Sequence, residues 1–120
     1  MSGQYSAVFG NFLRQKRSNK PLTIVGDGKQ TRDFIHVEDL TNALIKVAKS
    51  KLVNKTYNLG SGKEVSINKI ASLFGGKKIF IPKRPREPKR SLANISKIKK
   101  DINWKPKISI QEGIKRLLKN

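Results

Sequence analysis

Cysteine is absent from these 120 residues, and histidine, tryptophan and methionine occur once each. No disulfide, thiolate nucleophile or cysteine-ligated zinc can form, and His36 alone cannot build a histidine-based metal site. Long apolar runs are also missing. Hydrophobic residues make up 36% of the chain but fall in short periodic clusters, which excludes a membrane span and fits one modest globular core. The opening MSGQYSAVFGNF has no basic leader followed by an apolar segment, so the cytoplasm is the expected compartment. Two chemical signatures are lacking as well: no glycine fingerprint for a dinucleotide, and no Tyr-x-x-x-Lys pair to move a proton beside a hydride.

Acidic residues are scarce. Asp and Glu number 8 against 27 Lys and Arg, a formal net charge of +19 that would draw any polyanion, nucleic acid included. The excess is concentrated: Lys77 to Lys107 holds 12 basic residues and two acids, Glu87 and Asp101. These cations are mostly lysines interleaved with core-type isoleucines, without aromatic-rich stacking or a nucleic-acid motif. A solvated lysine face is the expectation, with a small basic nucleic-acid-binding protein or an inert fragment as the alternatives.

Periodicity outlines an α/β chain with short strands and four to five helices. Tyr5, Val8, Phe9, Phe12 and Leu13 form a helical stripe ending in Lys16 and Arg17. Leu22 to Val25 reads as a strand entering the turn Gly26-Asp27-Gly28, and Phe34 to Val37 as a second strand. A helix follows along Val37, Leu40, Leu44, Val47 and Ala48, with Glu38 and Asp39 as first-turn charges. Thr56 to Leu59 reads as a strand, Ser66 as the cap of a helix stopped by Gly75-Gly76, and Lys78 to Ile81 as another strand. Prolines 82, 85 and 88 keep Lys83 to Lys89 an extended loop. Ile95, Ile98 and Ile102 mark a short helix, and Ser109 with Glu112 caps the last one.

Arg32, at the entry to a strand, and Arg84, on the proline-rich loop, could present two guanidinium forks to one diphosphate. Glu87 could accept hydrogen bonds from a vicinal diol such as a ribose. His36 with Glu38 and Asp39 superficially suggests a base and its orienter, but structural hydrogen bonds explain the histidine better. Gly60-Ser61-Gly62 reads as a turn rather than a phosphate cradle.

Three stretches, GDGKQTRDFIHVEDL (Gly26 to Leu40), YNLGSG (Tyr57 to Gly62) and RPREPKRSLANISKIKKDINWKP (Arg84 to Pro106), resemble the C-terminal half of the NAD-dependent nucleotide-sugar epimerase/dehydratase family, the UDP-glucose 4-epimerases most closely. The resemblance runs from about Gly3 to the end. It implies a single unit over 1–120, the small C-terminal lobe that holds the nucleotide of a UDP-sugar, lacking the Rossmann domain that binds NAD and carries the catalytic pair. It further implies diphosphate binding by Arg32 and Arg84, ribose binding by Glu87, contact with the uracil edge by the backbone around Thr23 and Val25, and Phe34 lining the same pocket. No catalytic residue, metal ligand or NAD contact is expected on this chain, and no turnover by it alone. Arg86 stands where the family commonly has glycine and Lys89 where it has an acidic or neutral residue, so this loop is bulkier and more basic. A lobe without its cofactor-binding partner would leave apolar surface uncovered, which implies self-association.

Overall fold

A helix rich in aromatics opens the computed structural model, which describes residues 8–52, 54–83 and 87–119. In this helix, α1 (Val8–Arg17), Phe12 is fully buried and the basic residues gather in the last turn, where they meet the negative end of the helix dipole. Tyr5 of the expected stripe lies outside the described residues. The remaining elements are β1 (Leu22–Val25), β2 (Thr31–Arg32), α2 (Val37–Lys49), β3 (Val65–Ser66), α3 (Ile67–Phe74), β4 (Lys78–Ile81), α4 (Ser96–Ile102) and α5 (Ile110–Lys119).

Two small sheets organise them. β1 and β4 run parallel, with Leu22 opposite Lys78 and Val25 opposite Ile81. The ladder is extended at both ends by Leu22 N–H donating to the Lys77 carbonyl and Gly26 N–H to the Ile81 carbonyl, each at 2.8 Å. In β1, Leu22 and Ile24 are buried, the alternation of a strand with one covered face. The second sheet is a two-residue antiparallel ladder that sets Thr31 against Ser66 and Arg32 against Val65.

The strands expected at Phe34 to Val37 and Thr56 to Leu59 are not formed. The ladder begins earlier, at Thr31, and Val37 already belongs to α2. A strand exists only where a neighbour takes its backbone hydrogen bonds, and among the described residues none pairs with either segment. The helices match their sequence signals closely. Ser66 Oγ accepts from Lys69 N–H at 3.1 Å to cap α3, and Ser109 Oγ accepts from Glu112 N–H at 3.1 Å to start α5. The α4 helix closes at Asn103, whose φ of 55° is the left-handed conformation that asparagine tolerates.

Two apolar clusters fill the interior. The first gathers Phe12, Leu22, Ile24, Ile70, Phe74 and Ile114 from α1, β1, α3 and α5. Its rings meet edge-on: Phe12 and Phe74 centroids lie 5.6 Å apart, and Phe9 and Phe34 4.6 Å. The second joins Ala43 of α2 to Ile95, Ile98 and Trp104 around α4.

Asp39 fastens this second cluster. It is 2% exposed, and its carboxylate accepts from Lys107 N–H at 3.0 Å and Ile108 N–H at 2.9 Å. Its carbonyl accepts from Trp104 Nε1–H at 3.2 Å. Asp39 reads in sequence as a first-turn helix charge, and the structure gives it the further task of anchoring the irregular segment between α4 and α5. Asp39→Ala should destabilise the chain by about 3 kcal/mol, because two amides lose their acceptor, whereas the exposed Glu38→Ala should change stability by less than about 0.5 kcal/mol. Urea unfolding of the two variants checks this, and equal midpoints would contradict the role given to Asp39.

Candidate functional site

β2 is only two residues long, yet it holds Arg32 firmly, because the chain on both sides of it is pinned. Arg32 Nη1 donates to the Thr31 carbonyl at 2.7 Å and to the Pro88 carbonyl at 2.8 Å, and Nη2 donates to Glu87 Oε1 at 3.3 Å. Both side chains of this ion pair are 23% exposed. A guanidinium has five N–H donors. Among the described residues, Nε–H and the second hydrogen of Nη2 have no acceptor. Glu87 Oε2 likewise accepts nothing there. The pair thus presents two donors and one acceptor edge to whatever lies beside it.

Further bonds stitch the loop bearing Glu87 onto β2. Thr31 N–H donates to the Lys89 carbonyl at 2.8 Å. Glu64 receives Arg90 in a two-pronged pair, Nε at 3.0 Å and Nη2 at 2.8 Å, and also accepts from Thr31 Oγ1 at 2.9 Å. The Arg90 bonds, then the Thr31 bond, hold the Glu64 carboxyl below its usual range, and the bonds to Glu64 raise Arg90 in turn.

Asp33, next to Arg32, binds the other flank. Its carboxylate accepts from Ser61 Oγ at 2.6 Å, Ser61 N–H at 2.7 Å, Gly62 N–H at 3.0 Å and Ala93 N–H at 3.1 Å. Gly60 has to be glycine here, since a Cβ would stand 2.7 Å from the Ala93 side chain and 2.8 Å from Asp33 Oδ2. The Ser61 and Gly62 N–H groups, which could face a phosphate, therefore face Asp33 instead. The turn is followed by β3 rather than directly by a helix. This turn does not fit the pyrophosphate of a dinucleotide cofactor.

Beside the ion pair lies a cleft of about 360 Å³, lined among others by Val25, Gly26 and Glu87 and by Lys29, Lys83 and Lys89. Its rim is the Gly26-Asp27-Gly28 turn. Gly28 has φ of 74°, and a Cβ there would run into Asn68, whose Nδ2 donates to the Asp27 carbonyl at 3.0 Å. The three lysines were not singled out by the sequence reading as site residues. Their signal was the same glycine turn and proline loop that carry the motif, diluted by a high lysine background.

The structure brings Arg32, Glu87 and Val25 together. Thr23 sits further along β1, its N–H donating to Gln15 Oε1 at 3.1 Å and its Oγ1 accepting from Gln15 Nε2 at 2.8 Å. The Val25 carbonyl accepts from Gln30 Nε2 at 3.0 Å. Phe34 packs on Phe9 and lines clefts on the α5 side instead of this one. Arg84 and Arg86 lie outside the described residues. His36 serves as the N-cap of α2, its Nδ1 accepting from Glu38 N–H at 3.0 Å. Among the described residues no three of His, Asp and Glu converge to hold a metal ion, and no helix is long and apolar enough to cross a membrane.

Comparison with known proteins matches residues 8–117 to the family model described as GDP-mannose 4,6 dehydratase. UDP-glucuronic acid decarboxylase 1 of Arabidopsis thaliana is 34% identical over 92% of this chain and 27% of its own length. UDP-glucuronate 4-epimerase of Thermodesulfobacterium geofontis is 39% identical over 88% of this chain and 34% of its own length. Among solved structures, UDP-glucuronic acid 4-epimerase from Bacillus cereus, in complex with UDP-glucuronic acid and NAD, aligns with a TM-score of 0.85 at 30% identity, covering 92% of this chain and 38% of that one. UDP-glucose 4-epimerase from Thermotoga maritima, with UDP-glucose, gives 0.84 at 27% identity, covering 92% and 37%. The chain thus spans well under half the length of these proteins.

The Glu64–Arg90 clamp has a measurable acid limit. Because the folded carboxyl titrates below its unfolded value, it contributes stability at pH above the ordinary glutamate range and loses it as pH falls through the depressed folded value. Carbon-13 NMR titration of Glu64 should give a midpoint below that of a free glutamate, and Arg90→Ala should move it upward. A normal midpoint in the unmodified chain would contradict the clamp.

Proposed function

Since the chain belongs to the NAD-dependent nucleotide-sugar epimerase/dehydratase family, we propose that it is the nucleotide-holding portion of such an enzyme and that its ligand is a UDP-sugar. The observation that carries this is the Arg32–Glu87 pair beside the Val25 cleft. Among the described residues, two N–H donors of Arg32 are left for a diphosphate and one oxygen of Glu87 for the ribose hydroxyls. Lys29, Lys83 and Lys89 line the same cleft against the two acids Asp27 and Glu87, a cationic excess that suits an anionic ligand. Arg84, which the sequence puts between Lys83 and Glu87, is the second diphosphate ligand in this reading.

The NAD and the catalytic tyrosine of the reaction belong to a cofactor-binding portion outside this sequence, so the chain alone binds without turnover. Its contact surface for that portion includes apolar side chains left uncovered. Val37 and Leu44 on α2 are 65% and 58% exposed, and Phe80 on β4 is 58% exposed. In the absence of the cofactor-binding portion, a second copy covers them.

Calorimetric titration with UDP tests the reading. Saturable one-to-one binding is expected, with Arg32→Ala weakening it by about 10- to 100-fold, the loss of one charge-assisted phosphate contact. Binding that is unsaturable, or that survives Arg32→Ala unchanged, would overturn it.

A further inference from the structure

Each of the eight carboxylates accepts a hydrogen bond from within the chain. Asp27, Asp33 and Asp39 receive backbone N–H groups, Glu38, Glu64, Glu87 and Glu112 receive arginines, and Asp101 receives the Tyr57 hydroxyl. Of the twenty lysines in the sequence, none takes part in an ion pair among the described residues. Every acid is thus engaged by an arginine, a backbone amide or a hydroxyl, and none by a lysine side chain among the described residues.

That charge is concentrated in one place. A cleft of about 840 Å³ between α2 and the segment after α4 is lined by Lys46, Lys49, Lys99, Lys105 and Lys107. Its only acid is Asp39, whose two oxygens already hold backbone amides. A second cleft of about 920 Å³ is lined by Lys63, Lys99, Lys100 and Lys105 around a floor that is largely apolar, Leu92, Ala93, Ile95 and Pro106 among it. Lys99 and Lys105 wall both. The single opposing charge on α4, Asp101, is bonded to Tyr57 at 3.0 Å. The two clefts share Lys99 and Lys105 and so form one lysine-lined track, with Asp39 the one acid in the lining of either among the described residues.

We infer that this track around α4 docks the phosphate backbone of a double-stranded nucleic acid, at a place separate from the Arg32–Glu87 site. Like charges gathered this closely repel one another and weaken the fold, and a polyanion that replaces the counterions relieves the repulsion. A repeating phosphate polymer suits a track of cations distributed over two adjoining clefts better than a single small anion does. Base stacking contributes nothing, since Trp104 is 3% exposed and the Tyr57 ring is covered by Lys97, whose Nζ lies 5.2 Å from its centroid. Recognition through phosphates alone is independent of sequence and strongly dependent on salt.

The test uses the full chain and a labelled DNA duplex of about 20 base pairs, titrated by fluorescence anisotropy over a range of salt concentrations. Two variants carry the same net charge. One has Lys→Gln at 49, 99, 105 and 107, and the other at 20, 69, 77 and 115, which line neither cleft. The first should lose affinity by about 30-fold or more near physiological salt and flatten the logarithmic salt slope by about 3, while the second loses no more than about threefold. Arg32→Ala should leave duplex binding unchanged, so failure of the UDP site and failure of the track can be told apart. Equal losses in the two lysine variants would overturn the proposal by assigning the binding to net charge. Absence of duplex binding, or binding only to anionic lipid vesicles, would overturn it as well.

Discussion

The Asp33 carboxylate collects four hydrogen bonds from Ser61, Gly62 and Ala93, and the site's geometry depends on that convergence. Its neighbour in sequence, Arg32, can aim its guanidinium only because the backbone at 33 is fixed to two distant segments. Ala93 lies on the stretch that leads back to Glu87, so the same carboxylate helps locate both members of the ion pair. Charge-assisted bonds of this kind are short, and each depends on the others for its position. The energetic risk is equally concentrated, because removing the acceptor would leave the donors of both segments without a partner.

Asp33 and Asp39 divide the work of a chain that has little apolar material. One ties the ligand-facing loops to the antiparallel ladder, and the other ties α2 to the residues after Trp104. Between them run two modest apolar clusters rather than one large core. A chain with only eight acidic residues uses two of them as internal fasteners, which leaves few to offset the lysines outside. The electrostatic asymmetry set by composition is sharpened at the surface by how the interior is held.

Much of this was legible in the sequence, for reasons that differ by element. The helices were readable because a 3.6-residue apolar period and a capping serine are local signals, as at Ser66 with Ile67, Ile70 and Phe74. The strands were readable only where a partner exists. Leu22 to Val25 found one in Lys78 to Ile81, while Phe34 to Val37 and Thr56 to Leu59 did not. Arg32 and Glu87 stood out through the family motif, and no local pattern could show that they meet. The roles of Asp33, Glu64 and Arg90 escaped notice because each depends on a contact dozens of residues away, and a buried aspartate such as Asp39 looks in sequence like any helix-start acid.

The parallel pairing of Leu22 with Lys78 and of Val25 with Ile81 has a kinetic consequence. Parallel strands so distant in the chain close a long loop before any of its contacts are rewarded, so this sheet forms late relative to the helices. Arg32 follows β1 and Glu87 follows β4, so the pairing that closes the loop also brings the two side chains to the same end of the sheet. An occupant bridging the two would act as a noncovalent staple on the slowest-forming part of the fold, and its binding energy would appear as resistance to unfolding.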